Sequence, residues 1–280
     1  MKKFLSCLLV LAIIAGLVYF FLDDDSPETE SFTVNGVSFT MVAVEGGTFI
    51  MGDNSEQDGE AYDLTTKTHI KNEKPAHKVT VSSFSIGQTE VTQALWLAVM
   101  GSNPSCFTPR HGHNLNVNRP VENVSWNECQ TFIAKLNKIT GKKFRLPTEA
   151  EWEFAARGGN LSQGYKYAGS NNPNDVAWFE GTTNKKYSSD AEYGTHTVAT
   201  KAPNELGLYD MSGNICECVQ DRYGSYSSEA QTDPSGPDRG PSIVARGGGY
   251  GYRARFCQVS FRHEYSPTSA CDVQGFRLAL

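Results

Sequence analysis

Positive charge is scarce in this 280-residue chain, which has 25 Lys and Arg against 31 Asp and Glu and a formal net charge of −6. Proteins that bind nucleic acid without sequence preference need a basic face. The composition therefore argues against a nucleic-acid partner. Internal repeats with a period of about 20–50 residues are also lacking, which excludes a solenoid or a propeller.

Long apolar runs are equally rare, and the conspicuous one is residues 4–22, which follow Lys2 and Lys3 and precede Asp23-Asp24-Asp25. As a helix this run would be roughly 28 Å long, close to the thickness of a bilayer core. Basic flanks stay in the cytoplasm, so we predict a transmembrane helix with the rest of the chain outside, periplasmic or at the cell surface. A cleaved signal sequence is the alternative for residues 1–22.

The remainder divides into a short acidic stalk, residues 23–37, and one domain, residues 38–280. A hydrophobic content of 39% supports a sizeable core, whereas 26 Gly and 12 Pro predict many turns. Alternating segments predict strands at 39–44, 48–51, 77–82 and 84–86. Capping boxes at Ser125 and Thr148 predict two helix starts, and a third helix is expected over 90–100. The fold class is therefore α+β, loop-rich and low in regular secondary structure.

Six cysteines follow the apolar run: Cys106, Cys129, Cys216, Cys218, Cys257 and Cys271. An oxidising compartment would permit disulfides, and the sequence leaves their pairing open. A bond between Cys216 and Cys218 would be strained, so Cys218 is expected to pair with a distant cysteine. For Cys257 we keep three interpretations: a disulfide or buried framework thiol, a lone metal ligand, or a reactive thiol.

The last 35 residues contrast a regular framework with an irregular insert. Arg246-Gly-Gly-Gly249 suits a tight backbone, and Gly275-Phe-Arg-Leu-Ala-Leu280 suits a buried strand. Residues 250–274, the terminal insert, mix aromatic and charged side chains without helical or strand periodicity. Tyr and Arg concentrate binding energy at interfaces. The insert therefore predicts a ligand-binding surface, with candidate residues Tyr250, Tyr252, Arg253, Arg255, Phe256, His263 and Tyr265.

Several motifs resemble the sulfatase-modifying factor, or formylglycine-generating enzyme, domain family. They are Gly46-Gly-Thr-Phe-Ile-Met-Gly52, Thr89-Glu-Val-Thr-Gln93, Pro120-Val-Glu-Asn-Val-Ser-Trp126, Arg145-Leu-Pro-Thr-Glu-Ala-Glu-Trp-Glu-Phe-Ala-Ala-Arg157, Asn204-Glu-Leu-Gly-Leu-Tyr-Asp-Met-Ser-Gly-Asn214 and Gly275-Phe-Arg277. They occur in the family's order over about residues 37–280. The resemblance implies a C-type-lectin-like α+β fold, and it makes Arg145, Glu149 and Glu151 framework residues.

Comparison with the family's motifs also argues against oxidase activity in this chain. Active members convert a sulfatase cysteine to formylglycine with copper(I) held by two cysteines five residues apart, and soft thiolates select that ion. In this chain those positions are Tyr252 and Cys257, so copper is not expected. Pocket positions for serine, tryptophan and asparagine are Gly249, Cys216 and Val273. The six histidines do not show the His-x-x-x-His-x-Glu spacing of the iron-dependent relatives.

A calcium loop is also implied by the resemblance, over Asp210-Met-Ser-Gly-Asn-Ile-Cys-Glu217. Its ligands would be the carboxylates of Asp210 and Glu217 and the backbone carbonyls of Gly213 and Ile215, the oxygen donors that calcium prefers. A turn held only by Asp and Asn hydrogen bonds is the alternative.

The function predicted from these features is a non-catalytic, membrane-anchored module that binds a protein or glycan ligand through the terminal insert. Variable binding proteins diversified by retroelements share this fold and carry their substitutions in the same terminal segment. Two alternatives stay open. One is an enzyme, either a sulfatase-activating oxidase or a divergent activity using Cys257. The other is a structural component of a cell-envelope assembly.

Overall fold

The computed structural model describes residues 27–55, 62–63, 68–69, 72–113, 115–183 and 193–280. The strands in chain order are β1 (Thr29–Val34), β2 (Val37–Val44), β3 (Gly47–Met51), β4 (Tyr62–Asp63), β5 (Thr68–His69), β6 (His77–Val81), β7 (Phe84–Gly87), β8 (Cys216–Arg222), β9 (Gln231–Thr232), β10 (Ile243–Arg246), β11 (Arg262–Tyr265) and β12 (Gln274–Gly275). Long loops separate them, as the content of Gly and Pro predicted.

The helices are α1 (Gln93–Met100), α2 (Trp126–Thr140), α3 (Glu149–Ala156) and α4 (Pro173–Val176). Both predicted capping boxes are present, at Ser125 and Thr148. Each hydroxyl accepts from a backbone N–H while a glutamate three residues later accepts from the cap's own N–H, which satisfies donors that a helix start leaves open. Helix α2 buries its regular apolar face, Cys129, Phe132, Ile133 and Leu136.

Three small sheets of three or more strands build the domain, in the orders β1-β2-β7, β3-β6-β9 and β11-β10-β8-β12. One apolar core lies between α1, α2 and the last of these sheets, with Trp96 stacked on Phe132 at 5.2 Å and Phe276 against both rings. A second core surrounds α3, where the Phe154 ring lies 5.3 Å from Phe49 of β3 and Trp152 shares a cluster with apolar residues of β6 and β7. Sheet β11-β10-β8-β12 places the terminal insert beside the loop of Asp210–Glu217.

Helix α3 brings carboxylates into the interior, where arginines meet them. Glu153 pairs with the fully buried Arg246 of β10, and Glu149 accepts from Arg262 of β11 at 2.5 and 2.7 Å. Buried charges are tolerated only when they are paired and hydrogen-bonded. These pairs fix α3 against the terminal sheet. Glu149 is thereby a framework residue, as is Glu151, which pairs with Arg145.

Three expectations need correction or lie outside the described residues. The stalk prediction is wrong for residues 29–37. Strand β1 pairs antiparallel with β2, with Thr29 opposite Val42, and therefore belongs to the domain. Residues 275–280, predicted as a buried strand, contribute only to the two-residue β12 and to isolated bridges at Ala279. They lie between segments that contain Ile86 and Arg145. In the described part of the chain no helix is long and apolar enough to cross a membrane. The predicted anchor, residues 4–22, lies outside that part.

Candidate functional site

The terminal insert is preceded by two glycines whose backbone only glycine suits. Gly247 and Gly248 have φ of 87° and 69°, a region that side-chain-bearing residues rarely adopt. A Cβ on Gly248 would lie 2.5 Å from the Phe256 carbonyl oxygen and 2.8 Å from Cys257 Sγ. The close approach of these segments therefore depends on Gly248, and it sets Cys257 directly under the turn.

An aromatic cluster occupies the centre of the insert. The Tyr252 and His263 rings stack at 5.0 Å, and Phe256 meets Phe261 edge-on at 5.0 Å. The phenol oxygens of Tyr252 and Tyr265 are 2.6 Å apart. Burial lowers the pKa of His263 to about 4 and raises the pKa of Tyr252. The cluster is therefore uncharged at neutral pH.

The predicted binding residues differ in their exposure to solvent. Tyr250 is only 3% exposed and its hydroxyl donates to Asp272 at 2.9 Å, so it belongs to the interior and its prediction as a surface residue is wrong. Tyr252, Arg255, Phe256, His263 and Tyr265 are half-buried. The Arg253 side chain is 80% exposed, beside Glu180 at 3.8 Å. Of the predicted binding residues, Arg253 is the exposed one.

The insert also contains regular structure that the sequence pattern did not reveal. Strand β11 pairs with β10 from Arg262 to Tyr265, and a 3-10 turn covers Ala254–Cys257. The alternation along β11 is hidden because Arg262, which faces inward, is a charged residue held by Glu149. A period of apolar residues could not have identified this strand.

The positions at which this chain departs from the copper oxidase converge in space. Tyr252 N–H donates to the Gly249 carbonyl at 2.9 Å. A Cβ on Gly249 would lie 3.4 Å from Val273 Cβ and 3.6 Å from Cys216 N. Cys257 is fully buried, packed with Tyr167, Val176, Ala177 and Phe179. A tyrosine bonded to another tyrosine thus stands where a second thiolate would be required.

Cysteines in the described residues are thiols rather than disulfides. Cys216 and Cys218 are fully buried on β8, and burial raises the pKa of Cys216 well above its ordinary value. Raised thiol pKa values make thiolates scarce at neutral pH. The expectation that Cys218 forms a disulfide is not met in this structure. Cys257 is a buried thiol of the framework.

The predicted calcium loop turns tightly, with positive φ at Asp210, Gly213 and Asn214. Asp210 Oδ2 accepts from Ala199 N–H at 2.7 Å, while its buried Oδ1 lacks a hydrogen-bond partner among the described residues. Burial raises the pKa of Asp210 to about 6. An oxygen in this condition is suited to a cation.

Glu217, the second predicted carboxylate ligand, has another role in the structure. It accepts from Arg277 at 2.6 and 2.7 Å and from Trp152 Nε1 at 2.8 Å. Glu90, which the sequence analysis did not include, reaches the loop instead, accepting from Asn214 Nδ2 at 2.9 Å and Ile215 N–H at 3.3 Å. Burial and the nearby Asp210 raise the pKa of Glu90. The Thr89-Glu-Val-Thr-Gln93 motif was the signal that could have pointed to it.

The described residues do not form a metal site from side chains alone. Within the described ranges no group of three or more His, Cys, Asp or Glu is arranged to hold a metal ion. The predicted set contains two backbone carbonyls, which that arrangement does not include. Of the predicted ligands, Asp210 keeps a buried oxygen without a partner among the described residues, and Glu90 lies against the same turn.

The fold and its sequence match a known family. The sulfatase-modifying factor enzyme 1-like domain matches residues 27–280. The chain belongs to this family. Relatives include the formylglycine-generating enzyme of Streptomyces coelicolor, which is 30% identical and aligns with 85% of this chain and 88% of its own length. The family resemblance read from the motifs is thus confirmed.

Other members of the family carry different names. Chaperone protein LppX of Paenibacillus barcinonensis is 31% identical, and the alignment covers 99% of each chain. Inactive C-alpha-formylglycine-generating enzyme 2 of Bos taurus is 34% identical over 68% of this chain and 57% of its own. The structure of Treponema denticola variable protein 1 superimposes with a TM-score of 0.76 at 31% identity, covering 91% of this chain and 99% of that one. The family therefore includes proteins named for roles other than oxidation.

Proposed function

We propose that this protein is a non-catalytic binding module of the sulfatase-modifying factor family, held at the membrane outside the cytoplasm. Its ligand is a protein or glycan, and the contact surface is the exposed part of the terminal insert around Arg253. The observation that carries the proposal is the bond between the Tyr252 and Tyr265 phenols, 2.6 Å apart. The Tyr252 ring stands at the position of a copper cysteine, and Cys257, at the other such position, is buried.

The shape of the surface supports the same function. Three cavities, of about 780, 620 and 350 Å³, are lined by residues other than Tyr252, Arg253 and Cys257. Enzymes place reacting groups in concave pockets, whereas a macromolecular partner can use a flatter face with an anchoring arginine. Relatives named as a chaperone, an inactive enzyme and a variable protein are compatible with a non-catalytic role, whereas other relatives are named formylglycine-generating enzyme.

Calcium is proposed as a structural component of this module. Asp210, one buried oxygen of which lacks a partner among the described residues, and Glu90 would hold the ion with carbonyls of the turn. A bound cation would supply positive charge between carboxylates that now depend on Arg277. It would thereby stabilise the loop that supports the terminal insert, without any part in chemistry.

Two measurements test the proposal. The full-length protein in detergent is incubated with copper(I) and a cysteine-containing sulfatase peptide, and we expect no formylglycine by mass spectrometry. Turnover at enzyme-like rates would establish the oxidase alternative. In cells, a photoreactive amino acid at position 253 should cross-link a defined partner, whereas the same group at Ile139, exposed on α2, should not. Equal cross-linking from both positions would contradict a binding surface at Arg253.

A further inference from the structure

A second cavity, remote from the chemistry of Cys257, lies between the start of α3 and the loop over residues 224–237. Its volume is about 620 Å³, within the range of roughly 300–1,000 Å³ that small-molecule sites occupy. Strand β8 supplies Asp221 to its wall, and β11 supplies Arg262. We call it the Asp221 cavity.

The charged groups at the base of this cavity neutralise one another. Glu149 accepts from Arg262 through both oxygens, and the Tyr226 hydroxyl donates to Glu149 at 3.0 Å. Arg262 also donates to the carbonyls of Asn72 at 3.1 Å and Gly224 at 2.9 Å. Since these bonds use the donors and acceptors within the protein, this pair forms a fixed floor that does not call for an ionic ligand.

Asp221 differs from these groups, because it is buried near Arg262 without an ion pair to it or to another cation among the described residues. Asp221 is only 3% exposed, and its Oδ2 accepts a hydrogen bond from Glu149 N–H at 2.8 Å. In the described part of the chain no lysine or arginine forms an ion pair with it. Burial, reinforced by repulsion from Glu149, raises the pKa of Asp221 to about 8. At neutral pH the carboxyl is therefore largely uncharged and can both donate and accept hydrogen bonds.

The mouth of the cavity is lined with neutral hydrogen-bonding side chains from the covering loop: Ser225, Ser227, Gln231, Thr232 and Ser235. The loop is held close by Gly236, whose φ is 70° and whose added Cβ would lie 3.0 Å from Asp221 Cβ. Hydroxyl and amide groups therefore face the same space as the neutral carboxyl. Such a set matches many hydroxyls on a ligand. Arg222 and His77 also line the cavity, and the Arg222 guanidinium lies over the Trp126 ring at 5.2 Å.

We propose that the Asp221 cavity binds a neutral polyhydroxylated ligand of mono- or disaccharide size. Asp221 and the loop hydroxyls bond its hydroxyl groups, and Tyr226 forms part of the wall. A ligand carrying an amine is the competing chemistry, since it would supply Asp221 with a counter-ion. The inference does not rest on the proposed contact surface at Arg253.

The test uses the full-length protein in detergent with a defined set of probes. Glucose, N-acetylglucosamine, maltose and diacetylchitobiose are measured by saturation-transfer NMR, beside Nα-acetyllysine amide as a cationic probe. We expect transfer to at least one saccharide and not to the amine. Binding of the amine alone, or of no saccharide in the set, would overturn the proposal.

Variants locate the binding. Ser225→Trp places a large ring in the mouth of the cavity and should abolish the saccharide signal, whereas Ser228→Trp, on the same loop but outside the lining, should retain it. Melting curves verify that both fold. Asp221→Asn should change saccharide affinity by no more than about tenfold, the effect of one neutral hydrogen bond. Arg253→Ala should leave it unchanged, so loss of the surface function would not be mistaken for loss of this site. Saccharide binding that survives Ser225→Trp would refute the assignment.

Discussion

The buried pair of Glu217 and Arg277 yields an asymmetric prediction about stability. Both side chains are fully buried, and two hydrogen bonds of 2.6 and 2.7 Å join them. Removing one member of a buried pair costs roughly 3–5 kcal/mol because it strands the other. Arg277 also lies near Glu90 and Asp210, and its charge lowers the pKa of both against the effect of burial. One arginine therefore serves three carboxylates.

The two single variants should consequently differ. Glu217→Gln leaves Arg277 with two other carboxylates, so we expect a loss near the lower limit, about 3 kcal/mol. Arg277→Met leaves three carboxylates without their cation, and we expect about 5 kcal/mol or more. With roughly 2–4 °C per kcal/mol for a domain of this size, the melting temperatures should fall by about 6–12 °C and 10–20 °C.

The assay is urea unfolding at pH 7, followed by tryptophan fluorescence, for wild type and both variants. Arg145→Met is the matched control, because Arg145 pairs with Glu151 while its side chain stays 39% exposed. Exposed pairs contribute roughly 0–1 kcal/mol. If Glu217→Gln costs no more than this control, the pair does not lie in a dry interior. If Arg277→Met loses less unfolding free energy than Glu217→Gln, Arg277 does not stabilise all three carboxylates.

Three further predictions address the insert, the calcium loop and Asp221. Arg253→Ala should shift the unfolding free energy by no more than about 0.5 kcal/mol, whereas Phe276→Ala should lose roughly 3–5 kcal/mol; equal losses in urea unfolding would show that Arg253 is part of the core. Calcium at 100-fold excess over its Kd should stabilise the wild type by about 2.7 kcal/mol and Asp210→Asn much less, in calorimetry against chelator; an unchanged wild-type midpoint argues against the site. Because the native pKa of Asp221 is about 8 and the unfolded value about 3.9, the native state holds the extra proton between them. Its stabilising contribution is complete below about pH 4 and is lost as pH rises through 8. Asp221→Asn should flatten this slope in pH-dependent unfolding; an unaltered slope would exclude Asp221 as its source.

Local chemistry determined much of the fold from the sequence. The two capping boxes form as predicted because their hydrogen bonds lie within four residues. The apolar spacing of Cys129, Phe132, Ile133 and Leu136 is equally local, and these residues form the buried face of α2. The residue types of the last segment predicted the glycine turn and the burial of Phe276, and the structure confirms both.

Long-range contacts decided the rest of the candidate site. Tyr250 and Arg253 are three residues apart in the same polar and aromatic segment, yet one is buried against Asp272 and the other exposed. Glu90 and Asp210 lie 120 positions apart in sequence, so only the folded chain shows that they share Arg277.

Periodicity and composition describe a residue and its near neighbours, and that is what the sequence by itself determined here: the caps, the turns, the family and the existence of an irregular terminal insert. Only the tertiary structure decided which of its side chains face solvent, because burial depends on segments distant in the chain. The same holds for Asp221. From the sequence alone, Asp221 would be an ordinary ionised carboxylate. Its burial beside Glu149 raises its pKa, so that it is a neutral acid facing a cavity.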